Sequence, residues 1–151
     1  MNAHETIHAG CVLIGEAGLL IRGASGSGKS ALAREVVSLA LGTGRFGRLV
    51  SDDRTRLEAH HGRLLARAVE PLGGSLEVFG LGIVRRPFEA AAVVRLVLDL
   101  SDDPARYPEE QDRHVVLCGV MIPRIRMQAG AISADVALGC LSGVCDTIVT
   151  L

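Results

Sequence analysis

Gly23-Ala24-Ser25-Gly26-Ser27-Gly28-Lys29-Ser30 is the stretch that decides how the rest of the chain is read. It satisfies G-x-x-x-x-G-K-[ST], and its flanks supply the setting that this pattern needs. The apolar Leu19-Leu20-Ile21 before it predicts a short buried strand. From about Lys29 to Leu41 a helix is predicted, with Leu32, Val36, Leu39 and Ala40 on one face. Gly42-Thr43-Gly44 should end that helix, because two glycines cannot sustain it. In such a strand–loop–helix unit the glycines let backbone N–H groups curl toward phosphate oxygens. The helix N-terminus adds partial positive charge. Lys29 is placed to reach the β- and γ-phosphates of a nucleotide, and Ser30 to ligate Mg²⁺. The basic residues agree: of the 16 Lys and Arg residues, Lys29 is the one lysine. A compact ammonium on a slim stem stands where a phosphate loop needs one.

Outward from the loop, the residues from Thr6 to Ile14 are apolar and strand-like, and Gly15 to Gly18 carries turn chemistry. After the helix, Arg48-Leu49-Val50-Ser51 reads as a strand delivering Asp52 and Asp53 at its end. That is where a metal-clamping carboxylate belongs in phosphoryl transfer. Two adjacent acids repel, which would suit one of them to act as a general base. Thr55 to Ala68 reads as a hairpin turning at His61-Gly62. A loop with Pro71, Gly73 and Gly74 leads into Leu76 to Val78, and Gly80-Leu81-Gly82 is too glycine-rich for the interior of a regular element. Val93 to Leu100 is a strand ending in a polar loop from Ser101 to Asp112. Val115 to Val120 and Ile122 to Met127 are further strands, and Ile132 to Val144 a closing helix. The expected fold class is α/β: one P-loop domain over residues 1–151, strand-rich, with a mixed sheet and few helices.

Composition narrows the function. A chain of 151 residues with 48% hydrophobic and 22% charged residues is an ordinary globular domain. Net charge is −1 and aromatics make up 3%, which argues against nucleic-acid and membrane-surface partners. No apolar run approaches membrane-spanning length without a charge or glycine interrupting it. The four cysteines (Cys11, Cys118, Cys140, Cys145) lack metal-ligand spacing and read as reduced thiols of a cytoplasmic protein. A Cys140–Cys145 disulfide is the one bridge weighed against that reading.

Three blocks together resemble the catalytic domain of bacterial HPr kinase/phosphorylase. The family patterns are a His-Gly before the phosphate loop, Val-Ala-Asp-Asp, and Glu-Ile-Arg-Gly-Leu-Gly-Ile. Here they stand as His8-Ala9-Gly10, Val50-Ser51-Asp52-Asp53 and Glu77-Val78-Phe79-Gly80-Leu81-Gly82-Ile83. The resemblance runs from about Thr6 to Ile125 and matches the short form, which lacks the N-terminal domain. It implies a fold of the HPr kinase/PEP carboxykinase kind and an ATP- and Mg²⁺-dependent serine kinase. The implied substrate is an HPr-type phosphocarrier protein in bacterial carbon and nitrogen regulation.

Carried over by position, Lys29 and the loop hold ATP, and His8 lies near the phosphates. Ser30 and Glu77 bind Mg²⁺, joining Asp52 as the metal-clamping carboxylate at the strand end, and Asp53 takes the proton from the substrate serine. Family members are typically hexamers, so a homo-oligomer is expected.

Four departures stand out. Phe79 replaces an arginine, and the connection over Gly42 to Gly47 is long. Arg113 and Arg106 compete for the late catalytic arginine, with Arg113 preferred. The C-terminal segment from Gly130 to Leu151 is reduced. The lost cation and the short C-terminus imply phosphorylase activity that is weak or absent. Two other functions fit the same loop: a small-metabolite kinase, with its lid over Ser101 to Arg113, and a nucleotide-sensing module without transfer activity.

Overall fold

The computed structural model describes residues 4–69, 75–78, 82–85, 88–101, 113–128 and 134–150. The chain opens with a hairpin of β1 (His4–Ile14) and β2 (Ala17–Arg22), paired antiparallel from Ile14↔Ala17 to Ala9↔Arg22. The glycine-rich loop leads into α1 (Lys29–Gly42). Next, β3 (Gly47–Ser51) returns antiparallel to β1, with a register shift between Cys11 and Val12.

The predicted hairpin is present as β4 (Arg54–His60) and β5 (Arg63–Ala68). Its turn residues His61 and Gly62 have φ of 51° and 77°. Both central positions are left-handed, which matches the right-handed twist of the flanking strands. A two-stranded ribbon of β6 (Ser75–Val78) and β7 (Gly82–Arg85) follows, so Gly82 opens a strand that the glycine-rich sequence concealed.

β8 (Ala92–Ser101) is the central strand, parallel both to β2 and to β10 (Val120–Gln128). The short β9 (His114–Leu117) pairs antiparallel with β10. The single strand expected over Val115 to Val120 is therefore cut by a turn at Cys118 and Gly119, with φ of 51° and 79°. The closing helix α2 (Ala134–Thr150) runs further than its predicted end. Cys140 on that helix is a free thiol, so the Cys140–Cys145 bridge is not formed. Among the described residues no helix is long and apolar enough to cross a membrane.

The long strands β1 and β8 bend, and each serves two sheets. Residues 4–8 of β1 pair with β4, and residues 9–14 pair with β2. β8 meets β5 through Val93 and Ala92, then β2 and β10. The pairings β1–β4–β5–β8–β2–β1 therefore close a ring.

Alternation along the strands fills both sides. Val12, Ile14, Leu19, Ile21, Leu96 and Leu98 pack against α1 and α2. Cys11, Leu20, Leu57, Leu64, Val94 and Val97 form a second core on the other side of the sheet. Leu-Leu-Ile on β2 is continuous because it is buried on both faces, as parallel strands are. The carboxyl ends of β2 and β8 lie side by side, and the Gly-rich loop leaves from there. In open α/β sheets that edge is where ligands bind.

Candidate functional site

The loop from Gly23 to Gly28 is shaped by glycines at two left-handed positions, Gly26 with φ 83° and Gly28 with φ 95°. Gly28 caps α1 with no side-chain hydrogen bond, and the first turn carries no acid. The N-terminal turn of this 14-residue helix thus carries partial positive charge and no acidic residue of its own. Gly23 has a different reason to be glycine. A Cβ there would lie 2.7 Å from the Ser27 hydroxyl and 3.2 Å from the Leu100 carbonyl oxygen, so the loop crosses the end of β8 at close range.

Lys29 is buried, at 6% exposure, and its ammonium donates to the carbonyls of Gly23 (2.9 Å) and Ala24 (3.1 Å). With two of its three protons committed, the cation is stretched across the mouth of its own loop.

The loop meets the aspartate pair directly. The Ser30 hydroxyl donates to Asp52 Oδ1 at 2.6 Å, joining the start of α1 to the end of β3. Ser30 and Asp52 are two hard oxygen donors side by side, the donor type Mg²⁺ takes, and their placement fits a shared ion. Among the described residues no cluster of three or more His, Cys, Asp or Glu forms a metal site on its own. A cation here would draw its remaining ligands from phosphate and water, as Mg²⁺ commonly does.

Asp53 follows with φ 67°, left-handed and uncommon for a non-glycine residue, and its side chain is exposed. Its carbonyl accepts the Ala9 N–H at 3.0 Å, and the Asp52 carbonyl accepts the Arg54 N–H at 2.8 Å.

The remaining predicted residues are spread unequally. His8 stands opposite Arg54, between Ile7 and Ala9, which face the second core; it is exposed on the other side of β1 and one residue from Asp53's backbone contact. Glu77 lies on β6 opposite Ile83; its carboxylate, like Phe79 and Arg106, falls outside the described part of the structure.

Arg113 is exposed just before β9. Since β8 and β10 intervene between β9 and β2, it starts about 14 Å from the root of the loop, three strand spacings of about 4.8 Å. The fold links the loop to Asp52, carries Asp53 next in the chain and His8 on the neighbouring strand β1, and starts Arg113 three strands from the loop's root.

Two features escaped the sequence. Arg22, the residue before Gly23, grips Asp99 with both edges of its guanidinium, Nε to Oδ1 and Nη2 to Oδ2, each at 2.7 Å. Arg124 Nε donates to the same Oδ2 at 2.6 Å. One carboxylate thus ties three adjacent strands at the loop's root. A lone acid inside the apolar run Val93 to Leu100 was the signal available.

The second feature is a pair of fully buried hydroxyls. Ser51 and Thr55 lie 2.6 Å apart, and Thr55 donates to the Ala9 carbonyl at 2.7 Å. Nearby on β1, Cys11 has its thiol pushed up to about 12 by burial, which makes it inert.

Sheet, glycine loop, buried lysine and strand-end aspartates together define a P-loop protein. The chain belongs to the HPr Serine kinase C-terminal domain family, whose sequence profile matches residues 1–129.

The HPr kinase/phosphorylase of Azoarcus sp. (strain BH72) is 37% identical over 128 residues, covering 76% of this chain and 39% of that relative. That of Lactobacillus acidophilus is 33% identical over 137 residues, covering 82% and 40%. The chain thus spans about two fifths of the length of these relatives. The solved Hpr(Ser) kinase/phosphatase of Coxiella burnetii superposes with a TM-score of 0.73 at 22% identity, over 95% of this chain and 92% of that one. That likeness establishes the shared fold.

Proposed function

We propose that this chain is a serine kinase that transfers the γ-phosphoryl group of ATP to an HPr-type phosphocarrier protein. The observation that carries the reading is the 2.6 Å bond between Ser30 and Asp52. It supports the reading by linking the phosphate loop to the first of the two aspartates, with Asp53 next in the chain.

In this reading the loop's N–H groups and Lys29 hold the triphosphate. Lys29 exchanges its two carbonyl partners for phosphate oxygens when the nucleotide enters. Ser30 and Asp52, with Glu77, would hold Mg²⁺, which would supply charge neutralisation at the phosphates. Asp53 accepts the proton of the acceptor serine as its oxygen bonds to the γ-phosphorus. The bond from that phosphorus to the bridging oxygen breaks, and ADP leaves. His8 lies at the edge of the site, and Arg113 is the candidate late cation. Phosphate-driven reversal is expected to be the weaker reaction, because it needs further cationic donors and Phe79 stands in place of one. The setting is the bacterial cytoplasm, with a homo-oligomeric assembly.

Phosphotransfer from ATP with Mg²⁺ to an HPr-type protein tests the reading. Lys29→Ala should lose nucleotide affinity, since the triphosphate would keep backbone donors alone. Asp53→Asn should keep ATP binding and lose a factor of about 10² to 10⁴ in turnover, the usual contribution of a positioned base. ATP binding without transfer to any HPr-type protein would put the nucleotide-sensing function first. Wild-type ATP affinity in Lys29→Ala would remove the basis for both.

A further inference from the structure

Among the described residues the buried polar side chains are three: Lys29, Ser51 and Thr55. Lys29 belongs to the phosphate loop. The other two are fully buried, which disfavours a hydroxyl unless its hydrogen bonds are made. Both hydroxyls flank the turn that carries Asp52 and Asp53.

The geometry fixes the direction of its protons. The Ala9 carbonyl can only accept, so the Thr55 proton goes to it at 2.7 Å. The Thr55 oxygen is then the acceptor for the Ser51 proton at 2.6 Å. The chain Ser51→Thr55→Ala9 joins the last residue of β3, the second residue of β4 and the middle of β1. Asp52 and Asp53 are in the turn between those β3 and β4 positions. Ala9 grips the turn with both of its polar groups: its carbonyl takes Thr55, and its N–H goes to the Asp53 carbonyl at 3.0 Å. Asp53 is meanwhile held at φ 67°, a left-handed conformation uncommon for a non-glycine residue, which persists where the surroundings over-determine it.

We propose that Thr55, with Ser51 donating to it, is a positioning residue that holds Asp53 in its left-handed conformation and so aims its carboxylate at the incoming serine hydroxyl. The proposal rests on Asp53 being the proton acceptor. Neither hydroxyl touches the loop, and the Ser30–Asp52 bond does not pass through them. Nucleotide binding and phosphoryl transfer should therefore separate when the chain is cut.

Thr55→Val keeps the shape of the side chain, removes the proton and strands both Ser51 and the Ala9 carbonyl. Steady-state transfer to an HPr-type protein is measured alongside ATP affinity, in the wild-type and the Asp53→Asn backgrounds. Expected are ATP affinity within about twofold of wild type and a kcat lowered about 10- to 100-fold, the scale of a reacting group misplaced by about 1 Å. Thr55→Ser should recover most of the loss. In the Asp53→Asn background Thr55→Val should change kcat little, because the residue it positions is already disabled.

A wild-type kcat in Thr55→Val would overturn the proposal. So would an equal loss in both backgrounds, which is the signature of general destabilisation. If Thr55→Val does not fold, Ser51→Ala carries the same comparison. It leaves the Thr55–Ala9 bond intact and should cost a few-fold in kcat in the wild-type background alone. Failure of the underlying reading looks different: Asp53→Asn would then turn over like wild type.

Discussion

The Ser27 hydroxyl offers a quantitative test of how tightly the phosphate loop is seated on β8. Its oxygen is buried and has no hydrogen-bond partner among the described residues, and it lies 2.7 Å from the position a Gly23 Cβ would occupy. A buried hydroxyl without a partner costs about 1–3 kcal/mol. Ser27→Ala removes that cost and gives up only a few weak contacts, so unfolding should become harder by about 1 kcal/mol. For a chain of this size that is about 2–4 °C in Tm.

Gly23→Ala works in the opposite direction. Its methyl would meet the Ser27 oxygen at 2.7 Å and the Leu100 Cβ and carbonyl at 3.1 and 3.2 Å. Overpacking of that kind costs about 1–3 kcal/mol. The tightest contact disappears when Ser27 is alanine, leaving two contacts that small shifts can relieve. In urea unfolding of the four proteins, Gly23→Ala should therefore cost at least about 0.5 kcal/mol less in the Ser27→Ala background, a coupling typical of residues in contact. Nucleotide affinity should follow the same order, with the double variant recovering part of what Gly23→Ala loses. An equal cost of Gly23→Ala in both backgrounds would refute the packing. Loss of more than about 0.5 kcal/mol in Ser27→Ala alone would show that the hydroxyl has a partner, such as an ordered water.

Three other perturbations follow from the same structure. Asp99→Asn leaves the guanidiniums of Arg22 and Arg124 facing one another. A loss of about 1–3 kcal/mol is expected in urea unfolding, below the 3–5 of a fully buried pair because the three side chains are 14–26% exposed. The loss should grow at low salt, and wild-type stability in Asp99→Asn would mean that the carboxylate ties nothing together.

Burial raises the Cys11 thiol from 9.0 to about 12, so its stabilising contribution is intact below pH 9 and fades as pH rises from 9 toward 12. Wild type should lose stability over that window faster than Cys11→Ala, and parallel curves between pH 8 and 10.5 would contradict it. Gly62→Ala forces a methyl group into a φ of 77° and should cost about 1–2 kcal/mol in thermal unfolding, with no effect on nucleotide affinity. Any larger change in affinity than in stability would tie this hairpin to the site.

What could be read in the sequence was what local chemistry dictates. The phosphate loop needs glycine at particular φ values and a helix directly after it, so eight consecutive residues announced it. His61-Gly62 announced its hairpin for the same reason, since two adjacent left-handed positions tolerate few residue types. The closed ring of strands has no such local cause: β2 pairs with β8 more than seventy residues later, and nothing near Arg22 names Asp99 as its partner. The strand break at Cys118-Gly119 went unseen because cysteine at φ 51° is not a turn signal. Gly82 has the sequence signature of a loop, because a strand bordered by glycines looks like one. Arg113 and Arg106 compete for the late arginine, because position along the chain carries no information about the strands folded in between.

The hydroxyls of Ser51 and Thr55 mark the limit most clearly. Each looks like an ordinary strand residue, and Thr55 begins what reads as a half-exposed hairpin. Only the register of β4 on β1, with Thr55 opposite Ile7 and Arg54 opposite His8, turns Thr55 inward to the Ala9 carbonyl. A reading built on motifs finds the groups that could react. The groups that would aim them are fixed by pairings between distant strands, and nothing in the residues around Asp53 names Ala9 or Thr55 as its neighbours in space.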